Sequence, residues 1–146
     1  MATLSEVVGS ALPGLLALTE AQASRKPAPD VWSAKELLGH LIDSGVNNHG
    51  RFVRAGAQDG LDLLGYDQNA WVGASGWQEQ PWVEIVTLWK AYQTHLAQVM
   101  ARLPAASLGH TLRIGGGEPV TLGFVAGDYV AHQVHHLGQI RERTGG

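Results

Sequence analysis

The chain has no cysteine, which excludes disulfide staples, thiolate metal ligands and any nucleophilic thiol of its own. It is also poor in charge. Lysine and arginine total 10 against 13 acidic residues, a formal net charge of −3. No basic face or stripe of the kind that follows a phosphate backbone stands out, so nucleic acid is not expected as a partner. No apolar run approaches the roughly 18 residues that a membrane span requires. No basic residue precedes Arg25, so the charged start of a secretory leader is lacking. Together these absences predict a cytoplasmic protein without membrane contact. Length, by contrast, is sufficient: a chain of 146 residues buries roughly 68–70% of its unfolded surface without staples. One domain spanning 1–146 is expected.

Apolar periodicity predicts an all-α chain with four helical stretches. The first starts at Thr3, where Thr3 and Glu6 have capping-box spacing, and runs to about Ala23, with a kink or a late start expected at Pro13-Gly14. Pro27 and Pro29 mark a connector. The second opens at Ser33, with Glu36 completing another capping box, and continues to about Ala55. From Gly56 to Gln80 the chain is rich in Gly, Asp and Trp and reads as a long loop, of a length that is often functional. Pro81 suits the first position of a third helix, whose apolar stripe runs from Trp82 to Leu103 before Pro104 stops it. His110 to Ile114 alternates and is followed by three glycines, the pattern of a short hairpin. Thr121 caps a last helix that reaches about Arg143 and ends at Gly145-Gly146.

Histidines cluster on that last helix. His132 and His136 are four residues apart, which on a helix stacks two imidazoles on one face with Cβ atoms roughly 5–6 Å apart. Two rings so placed can share a metal ion but form only half a site. With His132 set to 0° on a helical wheel, His136 falls at about 40°, and the apolar arc runs from about 20° at Val125 to about 200° at Val134. The pair thus lies at the edge of the buried face. His135, at about −60°, falls outside it. The other reading of the pair is packing or surface histidines.

The second helix offers a third ligand. His40, Ser44, Asn47 and Arg51 recur at spacings of four, three and four, one polar stripe beside Leu37, Leu41 and Phe52. Such a stripe is costly at a buried face unless its groups are paired or bind something; an ordinary solvent face is the alternative. His49 falls within the apolar arc and reads as a hydrogen-bonded packing residue. His95 and His110 look incidental.

The run Trp32-Ser33-Ala34-Lys35-Glu36-Leu37-Leu38-Gly39-His40-Leu41-Ile42-Asp43-Ser44 resembles the signature of the DinB-like superfamily. So do Asn47 to Phe52, Tyr66 to Trp71, and Gly127-Asp128-Tyr129 through Ile140. The resemblance extends from about Trp32 to Ile140. It implies a four-helix bundle, here with a long loop between helices two and three. It also implies a divalent metal, typically zinc or nickel, held by one histidine of the second helix and two of an HxxxH on the last. Carried over, these are His40, His132 and His136. The family name refers to DNA-damage induction, a stress response, and not to the polymerase that shares it.

Three imidazoles leave a coordination position open, the arrangement of a catalytic metal. The resemblance to thiol S-transferases implies that a low-molecular-weight thiol, ionised by the cation, is transferred to a small electrophile. A chain without cysteine needs that nucleophile from outside. Metal-activated hydrolysis of a small ester or amide and a non-catalytic metal-binding module are the alternatives. Asp128, one turn before His132, and Asp43, three residues after His40, either orient an imidazole or are ordinary helix-surface carboxylates. Tyr66 and Asp67 belong to the long loop expected near the open end. Arg51 and Asn47 are candidates for substrate contact. Apolar helix faces and five tryptophans are compatible with a homodimer.

Overall fold

The computed structural model describes residues 2–145. In chain order its regular elements are α1 (Leu4–Ala17), α2 (Glu20–Ser24), α3 (Ala34–Ala57), β1 (Leu61–Leu63), α4 (Gln68–Ser75), α5 (Trp82–Ala101), β2 (Thr111–Ile114), β3 (Val120–Thr121) and α6 (Leu122–Thr144). The four long helices α1, α3, α5 and α6 form the bundle. Helix α3 packs between α5 and α6, and α1 closes the opposite side against the same two helices. Among the described residues, no helix is long and apolar enough to cross a membrane.

The first stretch departs from expectation in one respect. Thr3 and Glu6 form the capping box, but the helix continues through Pro13 and ends at Leu18, short of Ala23. Pro13 and Gly9, four residues before it, are both exposed. The carbonyl that loses its donor to proline is therefore open to water, which removes much of the usual cost. A second capping box, Thr19 with Gln22, starts α2. Helix α2 is tied down by Glu20, which pairs with the buried Lys35 ammonium and accepts from the Trp82 backbone N–H at 2.8 Å.

Helix α3 is the central element, with Leu37, Leu38, Leu41 and Phe52 fully buried. Burial of each such side chain contributes roughly 1.5–3 kcal/mol. Gly39 on this helix seats the Trp77 indole. A Cβ there would lie 2.1 Å from Trp77 Cγ. The same indole donates from Nε1 to Asp43 Oδ2 at 3.1 Å, one turn further along. This socket fixes the 64–80 segment beside His40.

That segment is more ordered than the long loop read from sequence. Between Gly56 and Gln80 the chain contains β1, α4 and a 3₁₀ turn at Trp77–Glu79. The expected hairpin is present as β2 and β3, antiparallel, with Leu112 opposite Val120. Strand β1 adds to its other edge in parallel, Leu61 opposite Leu112 and Leu63 opposite Ile114. Three residues are too few for a strand period to show. Asp59 pins the joint by accepting from the Thr111 backbone N–H at 2.7 Å.

Helix α6 buries Leu122, Val125, Tyr129, Val130, Gln133, Leu137 and Ile140. The wheel arc is thus narrower than expected, because Val134 is 50% exposed. Gln133, at the middle of the arc, is fully buried and accepts from Trp89 Nε1 of α5 at 3.1 Å. Gly145, with φ 74°, closes the helix in the left-handed conformation that glycine tolerates. Gly146, the second residue of that expected stop, lies outside the described residues.

Candidate metal centre

Three histidines converge where the N-terminal part of α3 faces the C-terminal part of α6. His132 Nε2 lies 3.2 Å from His40 Nε2 and 3.0 Å from His136 Nε2. One ligand atom from each of the three lies within 4.8 Å of the others. His40 is 1% exposed, and the Trp32 ring covers it at 4.9 Å between centroids. The antiparallel course of α3 and α6 makes this meeting possible. It is fastened beyond the site by the Arg143 guanidinium, which donates to the Trp32 carbonyl.

Proton placement tests whether these residues fit a metal. His136 Nδ1 lies 2.7 Å from Gln139 Oε1. An amide oxygen only accepts, so the proton sits on Nδ1 and the Nε2 lone pair points into the cluster. A proton on His132 Nε2 can be directed at one neighbour, not both. At least one of the two contacts is then left without a directed donor, whereas a cation serves all three. Four-coordinate zinc with bonds of about 2.0–2.1 Å holds its ligand nitrogens about 3.3–3.4 Å apart, only slightly wider than the spacings here. His40 Nδ1 is buried without a protein partner. The donor set fits a divalent cation.

Electrostatics agree with this. Burial, reinforced by the neighbouring imidazoles, lowers His40 to about 3. Burial and His136 lower His132 to about 4, with Asp128 pulling the other way. Burial also lowers His136, partly offset by Gln139. Neutral imidazoles are the metal-binding form.

A cavity of about 330 Å³ opens beside His132 and runs along the seam of α3 and α6. Ser44, Asn48, Arg51, Tyr66, Asp128 and Tyr129 line it, with Ile114, Glu118, Val120, Phe124 and Val125. Four candidates from the sequence have surroundings of their own. Asp43 orients no imidazole: its carboxylate accepts from Trp77 Nε1 and, at 3.4 Å, from the Ser75 hydroxyl, and burial raises its pKa. Asp128 makes no hydrogen bond to a histidine either; it is exposed on the cavity wall. Asp67 is spent on capping α4, accepting from the backbone of Asn69 and Ala70. Asn47 turns back to the Asp43 carbonyl at 2.9 Å, and Asn48 takes its place in the cavity. Arg51 and Tyr66 do line it, the guanidinium carbon 6.0 Å from the phenol ring centroid.

The sequence from residue 6 to 140 matches the family model of the DinB superfamily. The chain belongs to the DinB superfamily. No functionally curated protein matches it. Among solved structures, the DinB fold recurs in YfiT from Bacillus subtilis, described as a probable metal-dependent hydrolase with an unusual four-helix bundle topology. That likeness has a TM-score of 0.85 at 21% identity over 97% of this chain and 82% of YfiT. The DinB-like protein YjoA of Bacillus subtilis aligns at a TM-score of 0.67 and 18% identity, covering 94% of this chain and 83% of YjoA. The mycothiol-dependent maleylpyruvate isomerase aligns at 0.70 and 11% identity, with 96% of this chain covering 63% of that one. Likenesses at these identities concern the fold.

Within this DinB-superfamily site, four contributors escaped the reading of the sequence. Gln139, three residues after His136, carried a usable signal in its helical spacing. Asn48 lies one position from the stripe that was read, and a helical wheel does not resolve neighbours so finely. Trp32 and Trp77 reach the site only through tertiary packing.

Proposed function

We propose that this protein is a metal-dependent enzyme in which His40, His132 and His136 hold a divalent cation, zinc or nickel, and that it transfers a low-molecular-weight thiol to a small electrophile. The observation that carries the reading is the convergence of three neutral imidazole nitrogens at the end of a 330 Å³ cavity in a chain without cysteine. A cation held there supplies Lewis acidity that ionises a thiol. The protein's own residues hold and cover the centre. Gln139 fixes the His136 tautomer, Trp32 shields His40 from water, and the seam of α3 and α6 receives the rest of the ligand. No carboxylate hydrogen-bonds to the histidine cluster among the described residues, so a base for activating water is not built into it. Thiol transfer has less need of one, because ionisation by the cation already makes the nucleophile.

Hydrolysis is the second reading, favoured by the fold shared with YfiT and by Asp128 on the cavity wall, which could serve as base. Metal-loaded protein assayed with a panel of low-molecular-weight thiols against an aryl halide, beside thiol-free ester and amide substrates, separates the two. Turnover that requires thiol is expected. Thiol-independent turnover inhibited by thiol would reverse the ranking, and silence in every assay would favour a non-catalytic module.

A further inference from the structure

The cavity has a second pole. Arg51 is half-buried at the end remote from the histidines, and none of the ion pairs formed among the described residues involves it. Its guanidinium donates weakly, at 3.3 Å, to Asn48 Oδ1 and to the Leu64 carbonyl. Of five N–H donors, these leave three. Asn48 is itself held by the Ser44 carbonyl at 2.9 Å, so the fork is propped from below and the Tyr66 ring flanks it. A cation placed partly out of water without a counter-ion is costly unless something supplies one.

We propose that Arg51 binds the carboxylate of an elongated substrate whose reacting end lies at the histidine cluster. This rests on the metal reading given above. The donation to Asn48 shows the Arg51 side chain folded back toward the N-terminus of α3. Asn48 lies eight residues beyond His40, about 12 Å along the axis at 1.5 Å per residue. On α6, Phe124 at the far end precedes His132 by eight residues, again about 12 Å. The two walls therefore give one length. A carboxylate directly beside the reacting atom cannot span it, whereas one some five or six bonds away can. Ile114, Val120 and Phe124 offer apolar contact to the connecting chain. Asp128, between the poles on α6, and Glu118, on the β2–β3 turn, disfavour a second negative charge. The substrate class is an elongated monocarboxylate.

The test uses cobalt-substituted protein and follows the sulfur-to-cobalt absorption band. The probes are 6-mercaptohexanoate, 6-mercaptohexanol, mercaptoacetate and 2-mercaptoethanol. The long acid should bind at least tenfold more tightly than the long alcohol, and the short pair should differ by less than threefold. In Arg51→Gln the long-chain gap should close while the alcohol keeps its affinity, which also shows that the variant is folded. Equal binding of the long pair, or a gap that survives Arg51→Gln, would overturn the proposal. If the protein takes up no cobalt, or no thiol produces the band, the metal-and-thiol reading fails separately. The Arg51 assignment then stands or falls on whether hexanoate raises the melting temperature of wild-type protein but not of Arg51→Gln.

Discussion

Helix α6 borders two hollows, and the larger is the less informative. Against α1 lies a groove of about 580 Å³ lined by Val7, Ala11, Leu15, Leu137 and Ile140, with Glu6 and Arg141 among its polar residues. Against α3 lies the cavity of about 330 Å³ that reaches His132. The groove exists because small residues, Ser10, Ala11 and Gly14, contribute to the α1 wall, with Ala2 just before the helix. Its chemistry is ordinary apolar packing. The smaller cavity joins a cluster of facing imidazole nitrogens to a guanidinium that has no ion-pair partner among the described residues. Volume follows from how well side chains fill space, whereas function follows from polar groups left without partners.

The sharpest way to break this contrast is to remove a histidine from one hollow and a side chain from the other. His132→Ala should abolish stoichiometric metal in elemental analysis, a loss beyond the roughly 10–100-fold typical of a supporting residue. His135→Ala should retain the metal, because His135 is exposed and outside the cluster. The reverse result would reassign the centre.

Gln139→Leu tests the support. With the His136 Nδ1 partner gone, metal affinity should fall roughly 10–100-fold in a competition titration, with the fold intact by circular dichroism. Unchanged affinity would mean that Gln139 does not set the tautomer. Gly39→Ala should act on the protein rather than on the ligands. Its Cβ collides with the Trp77 ring, so about 1–3 kcal/mol of stability and roughly 2–12 °C of melting temperature should be lost. A melting temperature equal to wild type would show that the 64–80 segment yields freely.

Acid should distinguish the hollows more gently. His40 and His132 have folded pKa values of about 3 and about 4, below the unfolded value of about 6.5. The unfolded chain therefore binds more protons as the pH falls below about 6.5, and stability should drop in that range while being fully present above it. Metal-stripped protein should melt lower at pH 5 than at pH 7.5, and His40→Gln should flatten the difference. A pH-independent melting temperature would contradict neutral, buried imidazoles. The smallest effect is expected in the groove. Val134→Ser, at a half-exposed lining position, should change stability by less than about 0.5 kcal/mol and leave bound metal unchanged.

Much of this molecule was legible one helix at a time. Ser33 with Glu36, Thr3 with Glu6, and the four-residue step from His132 to His136 are local signals, set by the geometry of a single turn. The motifs shared with the DinB superfamily carried the bundle and marked His40 as a candidate ligand. Other features were hidden because their partners are distant in sequence. Trp77 meets Gly39 across 38 positions, and β1 pairs with β2 across about 50. Asp43 and Asp128 had suitable helical spacing to orient an imidazole, but spacing along one helix does not say which neighbour reaches a carboxylate first. In Asp43 it is the indole of Trp77.

The sequence by itself determined the four helices, the exclusion of thiolate chemistry from the chain, and the face of α6 on which two histidines stand. These follow from backbone periodicity and composition, which act locally. Only the tertiary structure decided that His40 meets His132 Nε2 to Nε2, that Asn48 rather than Asn47 lines the cavity, and that Arg51 has no ion-pair partner among the described residues. Each of those depends on what another helix or loop brings within hydrogen-bonding distance, a range of about 3 Å that no single-helix pattern encodes.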